Sequence, residues 1–340
     1  MAAMRRGGFT RAPSPFGYVP LADGPIERRH PGFRLGHDRF GPDLLLGWLE
    51  GDFVALSPVH VGTGGIERTV HVQSALAAET PLLVPVARAG GVPVLPGATL
   101  KGALRSVVEA IAATCVSVRG RNTIVPIPQQ ACRRRDELCL GCRLFGAEGY
   151  QGRLRCGDAR LAGGDTVLVR APSLHPLRPN AGRMAPGRKF YHHGRPTPGA
   201  LPLEACPEGA RFRWRLDFAN LLPAELGLLL VALGQGDPPL WLKLGGFKPA
   251  CLGSVQFELA RLVTQDPATR YLHYDVPPKG AEDAPPNEVQ SPASAAAAPS
   301  DLAPYFEALD ASGLLARDRL EQLAAIVRYP RDADCPGGGY

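Results

Sequence analysis

The sequence predicts an α+β fold of the ferredoxin-like or RRM-like type, with an antiparallel sheet, two helices on one face and long insertions. Four large apolar residues alternate along 211–218 and indicate a half-buried strand. A continuous apolar run over 222–233, ended by Gly234, indicates a buried helix. The core order is strand, helix, strand, strand, helix, strand, which leaves the second face of the sheet open to a ligand.

The same periodicities predict the other core elements. In chain order they are a strand at 44–60, a strand at 92–95, a helix at 100–113 with Thr99 as its N-cap, strands at 153–161 and 166–170, and strands at 240–243 and 254–262 around a Gly-rich loop, residues 245–253.

The segments outside these elements differ in composition and divide the chain. We expect an extended N-terminal arm over 1–45, a core over 46–265 with insertions at 115–150 and 171–207, a flexible linker over 276–301 and a helical tail over 302–328. The tail could dock on its own domain or on a neighbouring subunit.

Composition and charge favour an anionic partner. The net charge is +6 and the isoelectric point about 9.0, a balance that suits nucleic acid. The sequence contains no run of about 18 apolar residues, so no membrane span is predicted. The basic N-terminus is not followed by the apolar stretch of a secretory signal, so no such signal is predicted. We therefore expect a cytoplasmic protein with reduced cysteines.

Four cysteines lie within one insertion and form a candidate structural zinc site. Cys139 and Cys142 have the C-x-x-C spacing with which two thiolates chelate one tetrahedral zinc, and Cys132 and Cys115 can complete the set. Four thiolates leave no position for water, so the zinc would be structural. The alternative is a loop with reduced cysteines. The other cysteines are interpreted as packing residues: Cys156, Cys206, Cys251 and Cys335.

Two groups of cations are candidates for RNA binding. Lys101 and Arg105 lie one turn apart at the start of the predicted helix, where the helix dipole favours phosphate. Arg188, Lys189 and Tyr191 lie in the 171–207 insertion, where cations mix with aromatic and histidine residues. That mixture suits single-stranded RNA, because cations bind phosphates and rings stack on bases. A solvated surface is the alternative for both groups.

Four short motifs follow one another in a specific order. They are the "VLPGATLKGALR" run at 94–105, "CLGCRLFG" at 139–146, the strand at 152–161 with Asp158-Ala159, and "LGGFKPACLGSVQF" at 244–257. Together they resemble the RAMP superfamily of CRISPR-associated proteins. Segments 12–21 and 187–193 resemble the type III-D, III-E and type VII branch of its backbone subunits, the Cas seven group.

This resemblance implies a scaffold that binds a guide crRNA. The sheet face, the Lys101 and Arg105 helix start, and Gly245, Gly246 and Lys248 of the Gly-rich loop would hold the guide. The 171–207 insertion would act as a thumb across the guide–target duplex. The implied partners are guide crRNA, target RNA, further copies of the chain, other CRISPR effector subunits and a separate nuclease. The resemblance also implies a zinc knuckle in the 115–150 insertion of this chain, as in the related III-D and III-E subunits.

Catalysis by this chain is left open, with a non-catalytic role favoured. RNA-cleaving relatives carry an aspartate in a D-S-P context shortly before the helix, and Glu79 stands there in this chain. The added methylene would displace the carboxylate, which can lower a rate by about 100-fold. If the chain is active, it would be a metal-dependent endoribonuclease that uses Glu79.

Two alternatives remain. Guide processing could use acid–base chemistry by histidines, although no spacing selects a pair among His60, His71, His192 and His193. An RRM-like RNA-binding protein outside CRISPR is the third class.

Overall fold

The structure is a computed structural model. It describes residues 14–30, 36–41, 43–117, 124–174, 187–265, 302–329 and 333–336, together with the backbone of 294–297.

Fifteen strands occur in the described part of the chain. They are β1 Phe16–Val19, β2 Leu45–Ala55, β3 Glu67–Arg68, β4 Leu82–Leu83, β5 Arg88–Ala89, β6 Val92–Leu95, β7 Leu154–Cys156, β8 Ala159–Leu161, β9 Val167–Ala171, β10 Arg188–Tyr191, β11 Leu201–Ala205, β12 Arg211–Leu221, β13 Leu242–Lys243, β14 Ser254–Gln265 and β15 Ser294–Ala297.

The α-helices of the described residues, in chain order, are α1 Thr69–Val72, α2 Gly97–Ile111, α3 Leu140–Phe145, α4 Pro223–Ala232, α5 Ala303–Ser312 and α6 Arg317–Ile326. Short 3-10 turns lie at Ser74–Leu76, Ile127–Gln129 and Lys248–Ala250.

The main sheet confirms the predicted ferredoxin-like class. Its strands are ordered β13-β14-β2-β12-β8-β6-β5, and β7 also pairs with β12. All pairs among the long strands are antiparallel. The order β14-β2-β12-β7/β8, with α2 after β2 and α4 after β12, is that of the split βαβ repeat.

Helices cover one face of this sheet. α2 and α4 pack on the alternating apolar side chains of β2 and β12, among them Phe53 and Trp214, which are almost fully buried. The helical tail belongs to the same core, since Leu309, Leu320 and Leu323 are buried in it. The tail therefore docks on its own domain.

The N-terminal arm and the 171–207 insertion meet in a two-stranded ribbon. β1 pairs antiparallel with β10, with Phe16 opposite Tyr191 and Tyr18 opposite Lys189. The ribbon lies on the helical layer, where Gly17 packs against Ile326 of α6. A second ribbon joins β9 to β11.

Several sequence expectations need correction. The N-cap of α2 is Pro96, not Thr99, because the helix begins three residues earlier at Gly97. Cys251 and Cys335, which the sequence indicates as packing residues, form a disulfide across 84 residues of sequence. Within the predicted linker, residues 294–297 pair with β14, and the rest of 276–301 lies outside the described residues.

Candidate metal centre and nucleic-acid interface

The four cysteines of the 115–150 insertion converge on one point. The sulfur atoms of Cys115, Cys132, Cys139 and Cys142 all lie within 4.8 Å of one another. The sulfurs of Cys115 and Cys142 are 3.5 Å apart. A zinc ion with bonds of about 2.3 Å to four tetrahedral thiolates places the sulfurs about 3.8 Å apart. The donor set and its spacing therefore fit a structural zinc, and the four residues form what we term the cysteine knuckle.

Local structure assembles the knuckle around a small apolar cluster. Cys139 directly precedes α3 and Cys142 lies in its first turn, so both sulfurs face the same side. Ile26 of the arm and Leu138 pack against the buried cysteines. Arg29 and Leu138 exchange two backbone hydrogen bonds, of 3.0 and 2.8 Å, which tie the arm to the knuckle.

Proton sharing divides the four thiols into two pairs. Hydrogen bonding from Cys115 is the main cause that lowers the pKa of Cys132, and it lowers the pKa of Cys139 to about 7, whereas hydrogen bonds within the cluster raise the pKa of Cys115 and of Cys142. A metal ligand requires the thiolate form, so binding of a metal would release protons from the cluster.

Arg105, a predicted RNA contact, lies against this knuckle. Its Nε donates to Glu109 Oε1 at 2.8 Å, and its terminal nitrogens donate to the Gly146 carbonyl at 2.8 Å and to Cys142 Sγ at 3.4 Å. Only 19% of its side chain is exposed. Arg105 thus joins α2 to the knuckle, and its role in RNA binding stays a prediction.

Glu109 is a buried anion, and its carboxylate pairs with groups from several elements. Its side chain is 1% exposed and accepts hydrogen bonds from Arg105 and Ser117. The guanidinium of Arg188, from the β10 strand, lies 3.0 Å from its other oxygen. One carboxylate therefore connects α2, the knuckle and the ribbon. Its cationic partners offset the desolvation cost that an unpaired charge would have at this depth.

Polar groups at the start of α2 also have hydrogen-bond partners within the protein. Asp158 Oδ1 accepts the Gly97 N–H at 2.8 Å, and Lys101 Nζ donates to the Leu154 carbonyl at 2.8 Å. A Cβ at Gly97 would lie 2.1 Å from the Cys156 carbonyl, so the corner requires glycine. Burial lowers the pKa of Lys101.

One face of the ribbon combines a lysine with aromatic rings, and these side chains are half-buried. Lys189 Nζ lies 4.5 Å from the ring centre of Phe16 and 4.8 Å from that of Tyr191. Tyr18 shares this face, edge to face with Phe16 at 5.5 Å. We call Phe16, Tyr18, Lys189 and Tyr191 the aromatic ribbon face. Rings beside a cation suit base stacking and phosphate contact.

The Gly-rich loop carries unusual backbone conformations. Gly245 has φ 80°, and the non-glycine residues Phe247 and Cys251 are left-handed at 54° and 61°. Gly246 donates its N–H to the His60 carbonyl at 2.8 Å. Left-handed non-glycine residues of this kind concentrate at binding sites. The predicted contacts Gly245, Gly246 and Lys248 are thus neighbours on one strained loop.

The open sheet face differs from the phosphate-binding surface that the sequence predicts. Several of its arginines pair with acids on the same strand or on other strands of the sheet. The pairs are Arg211 with Glu258 and Asp52, Arg215 with Asp217, and Arg261 with Glu50, at 2.7–3.5 Å. Arg215 also lies 4.4 Å from the ring centre of Trp48. This mixed charge makes the sheet face a poorer match for a phosphate backbone than a surface of unpaired cations would be.

Among the described residues, the candidate catalytic residues Glu79, His60, His71, His192 and His193 form no cluster of three or more potential metal ligands. Glu79 is exposed beside β9, where Arg170 donates to its backbone carbonyl at 3.2 Å. Among the described residues, the cysteine knuckle is the one cluster of potential metal ligands, and Glu79 is outside it. His60 and His193 are buried, whereas His71 is exposed on α1.

These features define a ferredoxin-like α+β protein with a four-cysteine candidate metal centre and an aromatic–lysine ribbon. The model of the RAMP superfamily matches residues 52–256. Because this match spans more than half of the chain, the chain belongs to the RAMP superfamily. Its members are CRISPR-associated, typically bind RNA and form complexes with other CRISPR subunits.

A comparison with curated proteins finds no match. No helix among the described residues is both long and apolar enough to cross a bilayer.

Sequence reasoning missed several residues of these sites. Phe16 and Tyr18 belong to the arm motif, and their role on one face emerges only when β1 pairs with β10. The sequence also gives no sign that Lys243 is buried. It is the last residue of β13, and its Nζ donates to the Leu252 carbonyl at 3.3 Å.

Proposed function

We propose that this chain is a guide crRNA-binding backbone subunit of an RNA-targeting CRISPR effector complex, of the type III-D, III-E or type VII kind. Membership of the RAMP superfamily supports the CRISPR and RNA-binding part of the proposal. The observation that carries the placement of RNA is the aromatic ribbon face, where Lys189 lies between the rings of Phe16 and Tyr191.

The ribbon joins the two segments that would grip the guide. Because β1 belongs to the arm and β10 to the 171–207 insertion, a guide strand that stacks on the ribbon touches both. Arg188 ties this ribbon to the buried Glu109 through an ion pair of 3.0 Å. Preorganised aromatic faces lower the ordering cost of binding single strands.

The cysteine knuckle would hold one structural zinc in this scaffold. Four thiolates would complete a tetrahedral shell and leave no position for water. In this proposal the metal stabilises the insertion beside α2. The further partners are target RNA, other copies of the chain, other effector subunits and a separate nuclease, in the cytoplasm.

The test is RNA binding by the purified chain and by Lys189→Gln/Tyr191→Leu. The wild-type chain should co-purify with RNA that carries CRISPR-repeat sequence and should bind a synthetic guide. The variant should bind at least tenfold more weakly, with a salt slope lower by about 0.7 for each phosphate that the protein no longer neutralises. Arg317→Met, which removes one exposed charge on the tail, is the matched control.

Two results would overturn the proposal. One is co-purified RNA without repeat-derived ends, together with equal affinity for unrelated single strands; that result favours a general RNA-binding protein. The other is an unchanged affinity and salt slope in Lys189→Gln/Tyr191→Leu, which would exclude the ribbon.

A further inference from the structure

A small cavity lies where the N-terminal arm, the cysteine knuckle and the start of α4 meet. Its volume is about 80 Å³. A water molecule needs about 10–15 Å³ of such space, so the cavity has room for several waters or for one small ion, and it is too small for a nucleotide. The charged residues of its lining are Glu27, Arg29, Arg143, Arg153 and Glu225. The proposed function gives this cavity no role.

Arg143 brings a buried guanidinium group to the cavity. The residue lies in α3, next to Cys142, and is 9% exposed. Among the described residues its side chain has no hydrogen-bond acceptor, since the carboxylate oxygen nearest to it, Glu225 Oε1, lies 3.7 Å away. The guanidinium that donates to a sulfur of the knuckle is that of Arg105. A guanidinium has five N–H donors, and buried donors are normally hydrogen-bonded.

Glu225 brings a buried acceptor to the same cavity. Its side chain is 2% exposed, and its Oε2 accepts the Leu222 N–H at 3.0 Å, which caps α4. Within the described ranges, Oε1 accepts no hydrogen bond. An ionised carboxylate can only accept, so this oxygen needs a donor. The cavity therefore holds donors without an acceptor and an acceptor without a donor.

Arg153 is held close to Arg143 by the backbone. Its N–H donates to the Arg143 carbonyl at 3.1 Å, and its guanidinium donates to the Asn220 carbonyl at 2.8 Å and lies 3.8 Å from Glu225 Oε2. The segment before β7 approaches α3 so closely that a Cβ at Gly152 would lie 2.4 Å from the Leu144 carbonyl. The buried end of the cavity thus combines two guanidinium groups with one carboxylate, an excess of one positive charge.

We propose that this cavity binds one inorganic hydrogen phosphate ion, with Arg143 donating to its oxygens and Glu225 Oε1 accepting its P–O–H proton. The ion supplies the missing negative charge, the missing acceptors and the missing donor together. Guanidinium groups match the oxygens of such an ion in charge and in geometry.

The carboxylate selects among oxyanions. Inorganic phosphate keeps at least one P–O–H group at neutral pH, whereas sulfate has no proton to donate and would face Glu225 with oxygens alone. A phosphodiester has no such proton either, and a phosphate monoester loses its last one at a pKa of about 6. The ligand is therefore the free ion and not a phosphate of RNA, so the inference lies beyond the proposed function and does not depend on it.

The bound ion would join elements that are distant in sequence. Arg143 belongs to the knuckle and Glu225 to α4, and Arg29 at the more exposed side of the cavity belongs to the arm. A ligand that binds the folded chain alone stabilises it by mass action. Phosphate should therefore raise the melting temperature of the protein.

The test is titration calorimetry of the full chain, purified without phosphate, with inorganic phosphate and with sulfate at equal ionic strength. Phosphate should bind about 10- to 100-fold more tightly than sulfate, since sulfate leaves a buried acceptor without a donor. Thermal unfolding in the two salts gives a second readout. The melting temperature should rise more in phosphate.

Two variants separate the roles of the cavity residues. Arg143→Met should weaken phosphate binding by about 10- to 100-fold, because charge-assisted donors are lost. Glu225→Gln should bind sulfate and phosphate with similar affinity, because an amide can donate as well as accept. Glutamine can still accept the Leu222 N–H, so the cap of α4 is kept. Arg134→Met removes an exposed cation outside the cavity and should behave as wild type.

Several results would overturn the proposal. If phosphate does not bind to wild type, the cavity holds water only. If sulfate binds as tightly as phosphate, or if Glu225→Gln keeps the wild-type preference, Glu225 does not receive a proton from the ligand. If Arg143→Met binds phosphate as wild type does, the ion lies elsewhere. Displacement of phosphate by an RNA that carries a 5′-phosphate would show that the ligand is a terminal phosphate and not the free ion.

Discussion

The guanidinium of Arg105 lies 3.4 Å from the sulfur of Cys142 and binds Glu109 at the same time. A cation beside a thiolate stabilises its charged form. Arg105 therefore links the cysteine knuckle to the core helix α2, and the knuckle and the fold should depend on each other.

Replacement of Arg105 should destabilise the whole core. Arg105→Met leaves Glu109 buried with Arg188 as its one remaining cationic partner among the described residues. Breaking such a pair costs about 3 kcal/mol. Chemical denaturation should show a lower free energy of unfolding, and a chelator should remove the metal faster. Arg134→Met removes an exposed cation that pairs with Asp136, and it should change stability far less, because solvent screens this pair. Equal stability of the two variants would contradict the link.

The metal prediction concerns stoichiometry. Protein purified without added metal should contain about one zinc per chain, as four thiolates require. Cys139→Ser/Cys142→Ser should contain none and should unfold at a lower temperature. Cys156→Ser, outside the knuckle, is the control and should keep its zinc. Retention of zinc in the double variant would exclude the site.

Lys243 should give the fold a distinctive dependence on pH. Its pKa is about 7 in the folded chain and near 10.5 when unfolded, so the unfolded state binds more protons between these values. Stability should therefore rise as pH increases from about 7 toward 10, by several kcal/mol at most. The difference in unfolding free energy between wild type and Lys243→Met isolates this effect. A difference that is constant across this range would show that Lys243 keeps an ordinary pKa.

Elements whose side-chain pattern lies within one short segment could be predicted from the sequence. The alternation at 211–218 and the apolar run at 222–233 predict β12 and α4 well, because each pattern faces a single core. The knuckle could be predicted because thiolate chelation fixes residue type and spacing.

The partners of charged residues could not be predicted in the same way. Arg105 reaches Gly146, 41 residues away, and Cys251 reaches Cys335, 84 residues away. Such pairs depend on the tertiary path of the chain. The cations that the sequence predicts as phosphate ligands at the start of α2 therefore have internal partners. Lys243, which the sequence places at a strand end, is buried and donates to a backbone carbonyl.

The last prediction concerns RNA cleavage, for which Glu79 is the candidate residue. A carboxylate must lie at a fixed distance from the scissile phosphate, and glutamate is one methylene longer than the aspartate of cleaving relatives. We expect a reconstituted guide complex without a partner nuclease to leave matched target RNA intact in Mg²⁺. Glu79→Asp should gain cleavage, by up to about 100-fold over background.

The control is Glu79→Ala, which should bind target as wild type does, because Glu79 is exposed and the hydrogen bond from Arg170 is to its backbone carbonyl. Cuts at regular intervals in the wild-type complex, absent in Glu79→Ala, would overturn the scaffold function, since a row of repeated subunits that each cleave gives even spacing. If the Glu79→Asp complex is inert, side-chain length does not explain the missing cleavage. The loop would then hold the carboxylate away from the target.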